Sequence, residues 1–260
     1  MLSRLACLLV ALAAALSLPG CTGGGAGENT GGSGGGRDTS LTVLAAASLA
    51  ESFTELAEAY EAATGTEVSL SFAASSTLAA QVLDGAPADV IALADEVTMG
   101  RVVAGGGTLG APALVATNQL EIVLEAGNPH VITSLADLAD PSLLVVLAAA
   151  EVPAGRYAAE VLGAADVEVA PVSYEASVRA VLNKVVLGEA DAGLVYRTDV
   201  IAGGEAVTGV EIPEELNALA RYPVAVAAEA QSTDAARAFV EFVRSAEGRA
   251  VLVRHGFGVL

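Results

Sequence analysis

From residue 41 onward, short apolar runs alternate with segments of helical period. Leu41-Thr42-Val43-Leu44-Ala45 reads as a buried strand. Ser48 follows, with Glu51 three positions later, the spacing of a capping box. Leu49, Phe53, Leu56, Tyr60 and Ala63 then fall on one helix face, and Gly65 stops the helix. Residues 68–72 predict a second strand. Ser75 or Ser76 caps a helix over 77–83 that halts at Asp84-Gly85, and Pro87-Ala88-Asp89 leads into a third strand at 90–93.

The same grammar recurs further on. Strands are predicted at 120–124 and 143–147, and Pro153 stands where a helix would begin. That helix, 154–162, ends at Gly163, and a second, 176–187, ends at Gly188 before a strand at 192–196. A late strand at 222–227 precedes helices over 233–244 and 246–253. Such alternation defines an α/β domain, whose ligands bind at the loops leaving strand ends. Gly105-Gly106-Gly107 and Gly203-Gly204 lack the residues of a phosphate loop and read as turns.

Ahead of this domain the pattern changes. Arg4 precedes an apolar run at 5–16, too short to span a bilayer, and small residues follow, so residues 1–20 read as a signal peptide. Leu18-Pro19-Gly20-Cys21 resembles a lipobox, which would make Cys21 a lipidated first residue. Residues 21–40 are Gly-rich and form a tether to that anchor. The other cysteine, Cys7, lies in the segment removed, so the mature domain has no internal disulfide and is stabilised by its core.

Composition narrows the partners. The chain is 53% hydrophobic with no second long apolar run, so a lipid anchor is its only expected hold on a membrane. Formal charge is −19 and Lys184 is the sole lysine, which argues against nucleic acid and anionic lipid. Catalysis fares badly. His130 and His255 are the only histidines, no Gly-x-Ser-x-Gly elbow occurs, and Asp89, Asp95 and Glu96 read as a helix cap and a surface acid rather than a metal site.

Three strand-to-helix turns stand out for small and hydroxyl residues: Ala46-Ala47-Ser48, Ala74-Ser75-Ser76 and Val152-Pro153-Ala154-Gly155. Helix starts expose unpaired N–H groups and a partial positive charge, so they hold anions without a cation, and small side chains admit a ligand to the backbone. For any one serine, ordinary N-capping is the simpler explanation. Three such turns in one chain point to a shared anion site.

These turns carry a resemblance that spans nearly all of 41–260. Leu41-Thr42-Val43-Leu44-Ala45-Ala46-Ala47-Ser48-Leu49 resembles the opening strand of periplasmic molybdate-binding proteins of the ModA type. Phe72-Ala73-Ala74-Ser75-Ser76-Thr77, Gly85-Ala86-Pro87-Ala88-Asp89-Val90 and Val152-Pro153-Ala154-Gly155-Arg156-Tyr157 are similar to further motifs of that family. Glu189-Ala190-Asp191-Ala192-Gly193-Leu194-Val195-Tyr196 and Tyr222-Pro223-Val224 complete the set in order. One stretch departs: an aspartate and a proline commonly precede Val-Pro-Ala-Gly in the family, whereas Ala148-Ala149-Ala150-Glu151 stands here, so the turn before Ala154 is expected to be looser.

The resemblance implies a two-lobe periplasmic-binding-protein fold of type II, each lobe a mixed sheet flanked by helices, with the ligand cleft between. Lobe 1 would comprise 41–117 plus 223–260 and lobe 2 residues 118–222, with crossings near 116–118 and 221–223. Five oxyanion-binding residues are carried over. Ser48 and Ser75 would offer hydroxyl and backbone N–H, Ala154 and Val178 backbone N–H, and Tyr196 its phenol. Arg156 and Arg179 are expected behind the site, pointing away. The implied role is an extracytoplasmic, lipid-anchored monomer that captures molybdate, or tungstate, for an ABC permease and ATPase. No cofactor and no metal is implied other than molybdenum as its oxyanion. Sulfate or a ferric complex is the rival solute, and a lipid-anchored enzyme or a purely structural surface lipoprotein the rival class.

Overall fold

The computed structural model describes residues 40–259. The expected signal peptide, the lipidation site Cys21 and the tether fall outside the described residues.

Strand β1 (Ser40–Ala46) is apolar at nearly every position because it is sandwiched. It pairs in parallel with β2 (Glu67–Ala73) on one side and β3 (Val90–Ala92) on the other. Helix α1 (Ala50–Thr64) follows it and buries Phe53, Leu56 and Tyr60. Gly65 ends that helix at φ 73°, a conformation glycine adopts without a Cβ penalty. Helices α2 (Ser75–Leu83) and α3 (Glu96–Ala104) flank β3 in sequence, and β4 (Ala113–Asn118) leads out of this part of the chain.

The second half contains β5 (Leu120–Glu125), β6 (Val145–Ala148), α4 (Pro153–Ala164), β7 (Ser173–Glu175), α5 (Val178–Val186), β8 (Ala192–Tyr196), α6 (Arg197–Gly203) and β9 (Val207–Glu211). β10 (Ala220–Val226), α7 (Thr233–Arg244) and α8 (Ala246–Arg254) follow. Phe239 of α7 meets α1 edge-on, with ring centroids 5.2 Å from Tyr60 and 6.4 Å from Phe53. The chain's tail thereby closes the core of its first lobe.

Two five-stranded sheets result, ordered β2-β1-β3-β10-β4 and β7-β6-β8-β5-β9. In each, four strands run one way and one runs against them, β10 in the first sheet and β5 in the second, so both are mixed. β4 and β10 lie side by side in the first sheet, with Asn118 opposite Ala220. The chain therefore returns to the first sheet before Ala220, slightly earlier than expected near 221–223, and Asn118 and Tyr222 belong to the first sheet. Among the described residues no helix is long and apolar enough to cross a membrane.

Several helices differ from expectation at their starts. Ser48 sits in a short 3-10 turn, Ala47–Leu49, and its side chain caps nothing. Ser75 is the first residue of α2 rather than its cap. α5 begins at Val178, with Ser177 as the cap accepting from the N–H of Ala180. Each serine freed from capping has a tertiary partner instead.

Candidate functional site

The loops at the C-terminal ends of β1, β2, β3, β6, β7 and β8 converge on one cavity between the sheets. Its lining includes Ser48, Ser75, Ala154, Val178 and Tyr196, the five residues the sequence singles out. Ala46, Ala47, Ala74, Ala94, Val152 and Pro153 complete it, and their small or rigid side chains bring backbone to the cavity surface. Space for the centre of a water-sized sphere amounts to about 10 Å³, a scale on which one water needs about 10–15 Å³.

The hydroxyls are held from behind. Ser75 Oγ accepts from the N–H of Ala94 at 2.9 Å, which leaves its own proton to donate. Ser48 Oγ is 3.0 Å from the phenol oxygen of Tyr222. Asn118 donates from Nδ2 to Tyr222 at 3.4 Å and to Thr198 Oγ1 at 2.9 Å, while its Oδ1 accepts from the N–H of Gln119. The pairing that uses every donor has Tyr222 donate to Ser48, so the Ser48 proton is also free. Asn118, Thr198 and Tyr222 are all buried, and this supporting chain escaped the sequence reading. Its one local signal is a polar Asn118 ending an apolar strand.

Backbone donors come from helix starts. α2 and α4 have alanine and valine at the N-cap, with no side-chain cap bond to consume the first N–H groups. Pro153 at the head of α4 has no N–H, so Ala154 supplies the first one. The turn before it is firmer than expected. Val152 donates to the carbonyl of Ala149 at 2.9 Å, and Ala149 donates to Glu175 at 2.9 Å. Gly155 packs so closely that a Cβ would lie 2.1 Å from the Ala149 oxygen. Close backbone packing replaces the missing Asp-Pro chemistry.

Tyr196 is 1% exposed and its phenol oxygen has no hydrogen-bond partner among the described residues. Its ring stacks edge-on between Tyr157 and Tyr222, with centroids 6.4 and 5.9 Å away. Burial, and then the nearby tyrosines, Asp199 and Asp95, push its pKa well above the ordinary range, so the group is a neutral phenol and a donor.

Neither arginine lines the cavity. Arg156 donates to the buried Asp95, to Thr98 Oγ1 at 2.8 Å and to the Glu151 carbonyl at 2.7 Å. Arg179 grips Glu51 through both guanidinium nitrogens at 2.9 and 2.8 Å, and lies 3.3 Å from Asp199. Glu51 is thus engaged in an ion pair, and no capping box forms at Ser48 because Leu49 is the N-cap of α1. The two arginines are turned from the cavity as expected, but toward the opposite lobe.

Asp199 is fully buried and accepts from the N–H of Tyr196 at 3.1 Å. Burial pushes its carboxyl up to about 6 from 3.8, against the pull of Arg179. The folded chain then binds a proton that the unfolded chain releases, so this group's stabilisation is complete below about 3.8 and is lost as pH rises through about 6. Thermal melts should show Asp199→Asn lacking that part of the fall. Parallel pH profiles for the two proteins would contradict it.

Among the described residues the one grouping with metal-ligand types is Glu125, His130 and Asp191. It sits where β8 begins, at the opposite end of that strand from Tyr196. His130 pairs there with Asp191 at 3.2 Å. His255 pairs with Glu55 at 2.7 Å, so neither histidine reaches the cavity serines.

Comparison with known proteins identifies the family. The profile of bacterial extracellular solute-binding proteins matches residues 41–258. Over 219 residues the chain is 43% identical to the molybdate-binding protein ModA of Mycobacterium tuberculosis, covering 84% of each chain. Two solved structures share the fold at a TM-score of 0.76. One is the periplasmic molybdate-binding protein of Azotobacter vinelandii, 19% identical, covering 85% of this chain and 99% of that one. The other is the sulfate-binding protein SubI of Mycobacterium tuberculosis, 22% identical, covering 85% and 87%. The chain belongs to the bacterial extracellular solute-binding proteins, within their ModA-type branch.

Proposed function

We propose that this protein captures molybdate, and tungstate with it, outside the cytoplasm and delivers it to an ABC transporter. One observation carries the reading: the buried phenol of Tyr196 has no hydrogen-bond partner among the described residues and lines the cavity that the freed hydroxyls of Ser48 and Ser75 share. A buried donor without an acceptor costs roughly 1–3 kcal/mol. A tetrahedral oxyanion supplies that acceptor, with the N–H groups of Ala154 and Val178 meeting its remaining oxygens.

Neutral donors suffice for a dianion. Hydrogen bonds to a charged group contribute roughly 1.5–3 kcal/mol each, so about seven donors offer roughly 10–20 kcal/mol against association costs of about 4–15 kcal/mol. A donor-lined pocket also rejects a protonated anion, whose own O–H would face another donor. Hydrogen phosphate is therefore excluded, while molybdate, tungstate and sulfate pass. Ferric capture calls for several anionic oxygen ligands, and among the residues lining the cavity Tyr196 alone could supply one. His130 and His255 are both paired away from the cavity, so neither histidine serves as a base there.

The delivery partners are a membrane permease and its ATPase, and the protein acts as a monomer held through lipidated Cys21. Titration calorimetry tests the ligand. At neutral pH, molybdate and tungstate should bind at least tenfold more tightly than sulfate, and phosphate should give no heat. Sulfate binding as tightly as molybdate would overturn the assignment.

A further inference from the structure

Two ion pairs span the cleft, and each lies beside a donor of the cavity. Arg156 is two positions beyond Ala154 in α4 and reaches Asp95 and Thr98 at the start of α3, in the first lobe. Asp95 adjoins Ala94, whose N–H holds Ser75 Oγ. Arg179 is next to Val178 in α5 and grips Glu51 of α1, three residues beyond Ser48. It also contacts the carbonyl of Ala47 at 3.4 Å. Second-lobe donors are thus tied to first-lobe donors by side chains that do not touch the cavity.

We propose that Arg156 and Arg179 are positioning residues that clasp the lobes shut over the bound anion and set its rate of escape. The ligand in question is the oxyanion argued above, so the proposal rests on that reading. The clasps differ in environment. Asp95 is 3% exposed and Arg156 26%, whereas Glu51 is 44% exposed. A desolvated charge pair acts mainly on dissociation, and an exposed one responds to salt. Arg156–Asp95 is accordingly the stronger lock, and Arg179–Glu51 the salt-sensitive one. The arginines also neutralise Asp95 and Asp199, two buried carboxylates near the cavity that would otherwise repel an anion.

Stopped-flow tyrosine fluorescence can follow molybdate binding, since the chain has no tryptophan. Arg156→Met should raise the dissociation rate about tenfold or more while leaving association within about threefold. Arg156→Lys should recover part of the loss. Arg179→Met and Glu51→Gln should each speed dissociation, Arg179→Met the more because it also strips Asp199 of its cation, and the double variant should match Arg179→Met, with the Glu51→Gln effect vanishing at high salt.

The double variant Asp95→Asn, Arg156→Met separates clasping from charge neutralisation. Fast dissociation in it supports the clasp, whereas a return to the unvaried rate overturns it. Unchanged dissociation in all variants overturns it as well. If the unvaried protein does not bind molybdate, the ligand assignment fails on its own account. Scattering from ligand-free proteins then decides the clasp: a larger radius of gyration in Arg156→Met, Arg179→Met supports it, and equal radii overturn it.

Discussion

Replacing Ser48 and Ser75 together by alanine should weaken molybdate binding by about 10²–10⁴-fold, because two hydrogen bonds to a charged ligand are lost at roughly 1.5–3 kcal/mol each. Backbone N–H groups remain, so some affinity should survive. Stability should fall too. Ser75 Oγ is the acceptor for the buried N–H of Ala94, and Ser48 Oγ is the partner of Tyr222, so each loss strands a buried polar group at a cost of about 1–3 kcal/mol. Calorimetry reads the affinity and circular dichroism the fold. Undiminished binding in a folded double variant would remove both serines from the site.

Gly155→Ala should be nearly as damaging through geometry alone. Its Cβ would lie 2.1 Å from the carbonyl oxygen of Ala149 and 2.5 Å from that of Ala148. Both are backbone atoms that cannot swing aside, so the start of α4 must move and carry the N–H of Ala154 with it. Overpacking of this kind costs about 1–3 kcal/mol in stability, and a displaced donor loses its ligand bond as well. The same helix supplies the control. A Cβ at Gly163 meets nothing within 4 Å, so Gly163→Ala should stabilise by about 0.5–1 kcal/mol and leave binding intact. Denaturant melts and titrations on both variants distinguish a local clash from a general intolerance of α4 to change.

Much of the fold was legible because strands buried on both faces read as unbroken apolar runs. β1, β5 and β8 were placed almost to the residue for that reason. The short edge strands β7 and β9, half-buried and polar at alternate positions, gave no such run and were missed. α6 was missed because it follows β8 without an intervening turn. Ser48, Ser75 and Ala154 were visible as small and hydroxyl residues at strand-to-helix turns. Val178 and Tyr196 came from family resemblance alone. A valine heading a helix and a tyrosine ending a strand carry no local mark of a site.

Ser48 shows where local pattern misleads. Its spacing to Glu51 satisfies a capping box, yet Tyr222 takes the serine and Arg179 takes the glutamate, across 174 and 128 positions of chain. Tertiary partners overrode the local rule at a residue lining the cavity, and such conflicts are expected to gather at sites. The cross-cleft pairs were hidden for the same reason. Nothing in the neighbourhood of Arg156 points to Asp95, 61 residues earlier.

An anion held by neutral donors would be seen most directly in a crystal grown with molybdate, through the anomalous signal of molybdenum. One strong peak is expected between Ser48, Ser75, Ala154, Val178 and Tyr196, with the oxygens at about 2.7–3.2 Å from those hydroxyl and N–H groups. Arg156 and Arg179 should remain paired with Asp95 and Glu51. A peak elsewhere, or an arginine turned inward onto the anion, would contradict it.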